Sequence, residues 1–276
     1  MPRGAGLSAA RNCARNWTLV TGASSGIGAA LARAFAARGH ALVLSARRTE
    51  RLQALAGELS GAVPVEVIPA DLTDPSAPDR LMEAVASRGI ALHTLVNNAG
   101  FGMRGRFATL PADELMDMVA VNVAAPTALA RRVLPDLIAR REGGILNVAS
   151  VGAYLPGPKM AVYYATKAYL LSLSEALFEE AKPHGVTVTA LCPGVTDSEF
   201  AARADREGTK RFNGRGMAAE EVARIGLMGY LRGEAVVVPG SRNRLIVAGL
   251  QLLPRRLTRK VANRLQSVPE SSPVQR

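Results

Sequence analysis

From residue 17 onward, short apolar runs alternate with longer stretches of helical periodicity. The runs are Thr18–Thr21, Ala41–Ser45, Val65–Pro69, Thr94–Asn97, Ile145–Ala149, Val186–Leu191 and Ala235–Val238. Most are Val, Ile and Leu without polar alternation, the pattern of parallel strands covered on both faces. Between them the spacing predicts helices over Gly28–Arg38, Arg48–Leu59, Pro78–Ser87, Asp113–Arg140, Tyr163–Lys182 and Ala218–Arg232. The first stops at Gly39, a natural helix terminator. Pro111-Ala-Asp-Glu and Met217-Ala-Ala-Glu-Glu place acids in first turns, where the helix dipole favours them. Strand–helix alternation of this kind implies an α/β fold: a three-layer, doubly wound parallel sheet of about seven strands with helices on both faces.

A chain of 276 residues suits one such domain with short appendages. The expected division is a disordered basic leader (1–16), a core domain (17–240), a basic amphipathic extension (241–266) and a disordered tail (267–276). Residues 197–216 are polar and glycine-containing without periodicity, a loop long enough to imply a functional role.

The formal net charge of +11 invites a nucleic-acid partner, but its location argues otherwise. Arg3, Arg11 and Arg15 lie in the leader, and Arg242, Arg244, Arg255, Arg256, Arg259, Lys260 and Arg264 in the extension; neither segment holds an acid. The body from 17 to 240 is left at +1. A near-neutral body with basic ends is not a nucleic-acid-binding face. No segment reaches the ~20 apolar residues that span a bilayer, and the N-terminus lacks the apolar core of a secretory signal. Cys13 and Cys192, one in the leader and one in a strand, make no disulfide framework, so a cytoplasmic, reducing setting is expected. His40, His93 and His184 show no ligand spacing, and no metal site is expected.

Ligands of open α/β sheets bind outside the carboxyl ends of the strands. Those ends here carry Thr21-Gly-Ala-Ser-Ser-Gly-Ile-Gly28, Ser45-Ala-Arg47, Asp71-Leu72, Asn97-Asn-Ala-Gly100, Ser150 and Pro193-Gly194. Gly22, Gly26 and Gly28 sit between a strand and a helix, where glycine permits a tight turn and close approach of backbone to a pyrophosphate. The spacing differs from G-x-G-x-x-G. At the end of the second strand, a site for NAD needs an acid to hold the ribose 2′-hydroxyl, whereas an arginine suits a 2′-phosphate. Arg47 and Arg48 stand there, with no acid before Glu50, which favours NADP(H) and leaves NAD(H) possible.

Tyr163 and Lys167, four apart, share one helix face. A phenol titrates near pH ~10, and a nearby ammonium draws that value down toward useful acid–base chemistry. Tyr164 lies three from the same lysine, so helical spacing alone leaves two tyrosines open. Ser150 ends the preceding strand, where its hydroxyl can polarise a carbonyl.

Taken together, residues 17–240 resemble the single-domain short-chain dehydrogenase/reductase family, in its broad bacterial branch of NADP(H)-type reductases. The family's glycine motif matches Thr21–Gly28, with Ser24, Ser25 and Ile27 inside it, and its Asn-Asn-Ala-Gly motif matches Asn97–Gly100. Its catalytic Asn, Ser, Tyr and Lys match Asn122, Ser150, Tyr163 and Lys167. That register selects Tyr163 over Tyr164. Its Pro-Gly motif matches Pro193-Gly194, with Ser198 where a threonine is common. The resemblance implies a Rossmann fold and a carbonyl/alcohol oxidoreductase. It places Asp71 and Leu72 by the adenine, Asn98, Ala99 and Gly100 along the cofactor cleft, and Val195 and Ser198 at the nicotinamide. Ser150 would hold the substrate oxygen, Tyr163 would act as general acid/base, Lys167 would grip the nicotinamide ribose, and Asn122 would hold a water. It also implies a homodimer or homotetramer through the helices over 113–140 and 163–182.

Phe101, Met103, Phe107, Tyr154, Leu155, Pro156, Met160 and Phe200 are the candidate lining of an apolar substrate pocket. The alternatives are a non-catalytic NADP(H)-binding sensor or scaffold and a membrane-surface adaptor. The last rests on the extension: the apolar run Leu245–Leu253, then Pro254, then a stripe of Leu257, Val261 and Leu265 among cations. That segment either roofs the body or a neighbouring subunit, or rests peripherally on the inner face of a membrane.

Overall fold

The computed structural model describes residues 16–197, 199–200 and 216–266. Strands β1 (Trp17–Thr21), β2 (Ala41–Ser45), β3 (Val65–Val67), β4 (Leu92–Asn97), β5 (Gly144–Val148), β6 (Thr187–Leu191) and β9 (Val236–Val237) form one sheet in the order β3-β2-β1-β4-β5-β6-β9. Every pairing is parallel. Two short strands, β7 (Thr196–Asp197) and β8 (Met217–Ala218), pair with each other to one side. The expected strands are all present. The edge strands β3 and β9 are shorter than their apolar runs, since each has a neighbour on one side only.

The continuous apolar runs are explained by burial on both faces: β1, β2 and β5 are buried along their whole length. On one face α1 (Gly26–Ala36), α2 (Thr49–Leu59) and α7 (Ala219–Leu231) enclose a core around Leu31, Phe35, Leu44, Leu52, Val222 and Tyr230. On the other, α3 (Ala77–Ala86), α5 (Ala125–Arg140) and α6 (Ala161–Ala181) cover Trp17, Leu81, Leu95, Leu129, Leu137 and Val188. The long helix expected over 113–140 is interrupted: α4 (Ala112–Val119) passes through a π turn at Ala120–Ala124 before α5 begins. Beyond β9, α8 (Ser241–Leu252) and α9 (Arg255–Gln266) flank Pro254, whose carbonyl accepts from the amides of Leu257 and Thr258. Pro254 therefore ends one helix and starts the next. The leader, Ser198, most of the 197–216 loop and the tail lie outside the described residues.

Because β1 pairs with β2 on one side and β4 on the other, the chain reverses direction across the sheet between these two neighbours. A crevice opens outside the carboxyl ends at that switch point. The glycine turn after β1 and Asn98–Gly100 after β4 face each other there.

One buried titratable group makes acid stability testable. His40 is almost fully buried; its Nδ1 hydrogen-bonds the Thr18 hydroxyl at 2.9 Å, and its ring sits edge-on to Phe35 and His93. Burial, then the His93 and Arg38 charges, push its pKa down to about 4. The unfolded chain protonates near pH ~6.5, so between pH 6.5 and 4 the unfolded state binds more protons and stability falls as the pH drops. The expected loss is about 1–3 kcal/mol after discounting for residual solvent access. Urea unfolding at pH 7 and 4.5 should show a difference that His40→Gln shrinks; an unchanged difference in the variant would refute this assignment.

Candidate active site

Hydrogen bonds tie the glycine turn to β4 before any ligand is considered. The Thr21 hydroxyl donates to the Val96 carbonyl and accepts from the amides of Asn98 and Ala99, at 3.1–3.2 Å. The Asn98 Nδ2 amide donates to the carbonyls of Thr21 and Gly22. Gly22 adopts φ 65°, and a Cβ on Gly28 would lie 2.3 Å from Asn98 Nδ2 and 2.4 Å from the Gly22 oxygen. Only glycine leaves this turn tight enough to run directly into the N-terminus of α1. The free N–H groups there face a cleft of about 440 Å³, lined on this side by Gly22, Ser24, Ser25, Gly26 and Ile27. Ala99, Gly100, Asp71 and Leu72 line it beside them, and Pro193, Gly194 and Val195 close the far side. A Gly-rich turn at a helix N-terminus over a cleft lined from Asp71 to Val195 fits a dinucleotide.

Ser150, Tyr163 and Lys167 line the same cleft. Asn147 accepts from Asn97 at 2.9 Å and donates to Ser174 at 2.9 Å, so β4, β5 and α6 are locked in one register. That lock sets the carboxyl end of β5, with Ser150, against the first turn of α6, with Tyr163. Burial lifts the Tyr163 phenol above its ordinary pKa, and the nearby Ser150 hydroxyl draws it back only in part. Lys167 is buried; its Nζ donates to the Val148 carbonyl at 2.7 Å and stands 5.9 Å from the Tyr163 ring centroid. Burial brings its pKa down to about 8.

Asn122 and Gly28 sit just behind the cleft wall. Asn122 lies in the π turn, a local widening of the helix found at functional positions. Its Nδ2 donates to the Phe101 carbonyl (2.9 Å) and the Thr166 hydroxyl (3.0 Å), and its Oδ1 accepts from the Phe101 amide (3.1 Å). A Cβ on Gly100 would lie 3.0 Å from Asn122 Oδ1 and 3.4 Å from Lys167 Nζ, which measures how closely these groups converge. Tyr164 also reaches the cleft, but its ring packs over Gly152 and Gly157.

The two arginines differ. Arg47 is half-exposed, with one loose contact to Asp71 at 3.9 Å. Arg48 reaches over the glycine turn: Nη2 donates to Ser25 at 2.7 Å and Ser24 at 3.1 Å, and Nη1 to Glu199 at 2.7 Å. Arg51 pairs with the same carboxylate, and the two arginines hold Glu199 at a pKa of about 2. Glu199 thus links the segment after β7 to α2 across the cleft. Sequence reading missed it, because a lone acid in a polar loop carries no sign of a partner 151 residues away.

Of the eight apolar candidates, Phe101, Met160 and Phe200 line the cleft. Met103 is buried with them around Tyr163. The others correct the expectation: Phe107 is largely exposed, Tyr154 packs with Cys192 on the far side of the helical turn after Ser150, and Leu155 and Pro156 are not among the cleft-lining residues.

A parallel doubly wound sheet, a glycine turn at its switch point, and Ser, Tyr and Lys in one cleft define a nicotinamide-nucleotide oxidoreductase. Residues 16–208 match the short chain dehydrogenase family, and the chain belongs to the short-chain dehydrogenase/reductase family. It is an NAD(P)-binding oxidoreductase acting on an alcohol/carbonyl pair. It is 39% identical over 183 residues to a sulfoacetaldehyde reductase of Chromohalobacter salexigens, covering 66% of this chain and 72% of that enzyme. A short-chain dehydrogenase of Sphingobium yanoikuyae, solved in complex with NADPH, superposes with a TM-score of 0.77 at 33% identity, over 94% of this chain and 98% of the other. A bulky-bulky ketone specific alcohol dehydrogenase of Comamonas testosteroni does so with 0.72 at 35% identity, over 86% and 93%.

Proposed function

We propose that the protein is an NADP(H)-dependent reductase of an apolar carbonyl compound, with Tyr163 as general acid/base. The observation that carries this reading is the convergence of Ser150, Tyr163 and Lys167 on one cleft beside the glycine turn. The bound nicotinamide supplies or accepts the hydride; the chain supplies position and protons. Ser150 holds the carbonyl oxygen by a hydrogen bond and Tyr163 delivers its proton to the same atom. The buried phenol stays protonated at neutral pH, as donation to a developing alkoxide requires. Lys167 presents a cation beneath the ring and a donor toward a ribose, and Asn122 fixes the backbone at Phe101 behind it. Phe101, Met160 and Phe200 favour a substrate with an apolar body. Exposed Met116 on α4 and Tyr169 on α6 support assembly through these helices as a homodimer or homotetramer. Carbonyl-dependent NADPH oxidation, measured over a panel of bulky apolar ketones and small polar aldehydes, tests the reading. Turnover should favour the apolar ketones; no turnover with any carbonyl would overturn it.

Arg47 is the residue we assign to the 2′-phosphate, because Arg48 is already committed to Ser24, Ser25 and Glu199 while Arg47 has only a loose partner. Arg47→Ala should raise the NADPH dissociation constant by at least ~10-fold, about 1.4 kcal/mol for one charge-assisted contact. NADH binding should barely change. Calorimetry showing equal affinity of the wild type for both cofactors would sink the assignment.

A further inference from the structure

Helix α8 turns an apolar face outward. Leu245, Ile246, Gly249 and Leu252 recur at the spacing of a single helix side and are all exposed, Leu245 by 76% and Leu252 by 86%. Its opposite side, Val247 and Leu250, is buried and packs on the short helical turn after Ser150. Leu253 and Leu257 continue the exposed apolar surface through the turn at Pro254. In α9 it is Thr258 and Ala262 that are buried, while Arg255, Arg256, Arg259, Lys260 and Arg264 are exposed. Residues 241–266 hold seven cations and no acid.

The segment that carries this apolar face holds cations and no acid, and its conceivable covers are the body of the protein, a second copy and a lipid surface. The described body already holds the other side of α8. A second copy docking symmetrically would bring the same seven cations against these seven, with no acid in either segment to offset the repulsion. An anionic lipid surface offers opposite charge to the cations and an acyl boundary to the leucines. Among the described residues no helix is long and apolar enough to cross a bilayer, so the contact is peripheral.

We infer that α8 and α9 form a docking surface for an anionic membrane, with Leu245, Ile246, Leu252 and Leu253 entering the headgroup boundary and the cations of the two helices holding lipid phosphates. The contact sits directly outside the turn that follows Ser150.

Full-length protein in flotation with phosphatidylcholine vesicles, with and without phosphatidylglycerol, tests this. Floating with the anionic vesicles at low salt, and release at high salt or from pure phosphatidylcholine, is the expected result. Replacing Arg255, Arg256 and Arg259 together by Gln should weaken partitioning on the order of 100-fold. Leu245→Glu with Leu252→Glu should weaken it at least ~10-fold, with the thermal unfolding midpoint of both variants near that of the wild type as the control on folding. A wild type that stays at the bottom of the gradient with anionic vesicles at low salt overturns the proposal. So does vesicle binding that ignores the leucine pair, which marks a polycation without a membrane face. Sedimentation in which the leucine variant breaks apart a wild-type oligomer assigns the face to a second copy and overturns it equally.

Discussion

Replacing Tyr163 by Phe is expected to lower carbonyl reduction by about 10²–10⁴-fold while leaving NADPH affinity nearly unchanged. The substitution removes one oxygen and keeps a ring that packs on Phe200 at 5.2 Å between centroids, so the cleft keeps its shape. What is lost is the proposed proton donor. Ser150 can still hold the carbonyl oxygen, but its hydroxyl is far too weak an acid to replace the phenol. Lys167 stands behind the ring with its Nζ committed to Val148. Tyr164→Phe is the matched control: its ring lies over Gly152 and Gly157, and the variant should keep most of the turnover. Steady-state kinetics on both variants, with NADPH binding measured separately, decides the matter. If Tyr164→Phe is the inactive variant, the roles of the two tyrosines are reversed and the proposed mechanism fails.

Gly28→Ala is expected to destabilise the fold by about 1–3 kcal/mol and to weaken NADPH binding by at least ~10-fold. The added Cβ would meet the Gly22 carbonyl and the Asn98 amide at distances no real contact shows, and both are fixed. The carbonyl belongs to the turn itself, and Asn98 is held by the carbonyls of Thr21 and Gly22. Relief requires the turn to move away from β4, which displaces the N–H groups at the start of α1. Gly57→Ala sets the scale. Gly57 lies in the last turn of α2, is exposed, and a Cβ there meets nothing within 4 Å. Helix propensity then governs, and that variant should gain roughly 0.5–1 kcal/mol. Urea denaturation of the pair should move the midpoints in opposite directions; a Gly28→Ala protein as stable as the wild type would show that the turn is not close-packed.

Much of the framework was legible because local rules suffice for it. A parallel strand buried on both faces must be apolar along its length, so Leu42–Leu44 and Ile145–Leu146 announce themselves, as does the Tyr163–Lys167 pair through the rise of a helix. The strand–turn–helix passage at Thr21–Gly28 is readable because only glycine meets its steric demands. Less local features were not legible. The π turn around Asn122 leaves the apolar periodicity of 113–140 almost intact, so the pattern reads as one helix.

By itself, then, the sequence determined the doubly wound sheet, the position of the cleft at its switch point and the residue types that line it. Each of these follows from backbone periodicity or from the sterics of neighbouring residues. Tertiary structure alone decided which side chains meet. It placed Tyr163 against Ser150 and Tyr164 over Gly157, a choice helical spacing left open. It joined Glu199 to Arg48 and Arg51 across the cleft, and it left Leu245 and Leu252 facing outward from a run that reads equally well as core. The physical reason is common to all three. Side chains distant along the chain come together only through the packing of whole elements, and an apolar residue is buried only where a neighbouring surface exists to cover it.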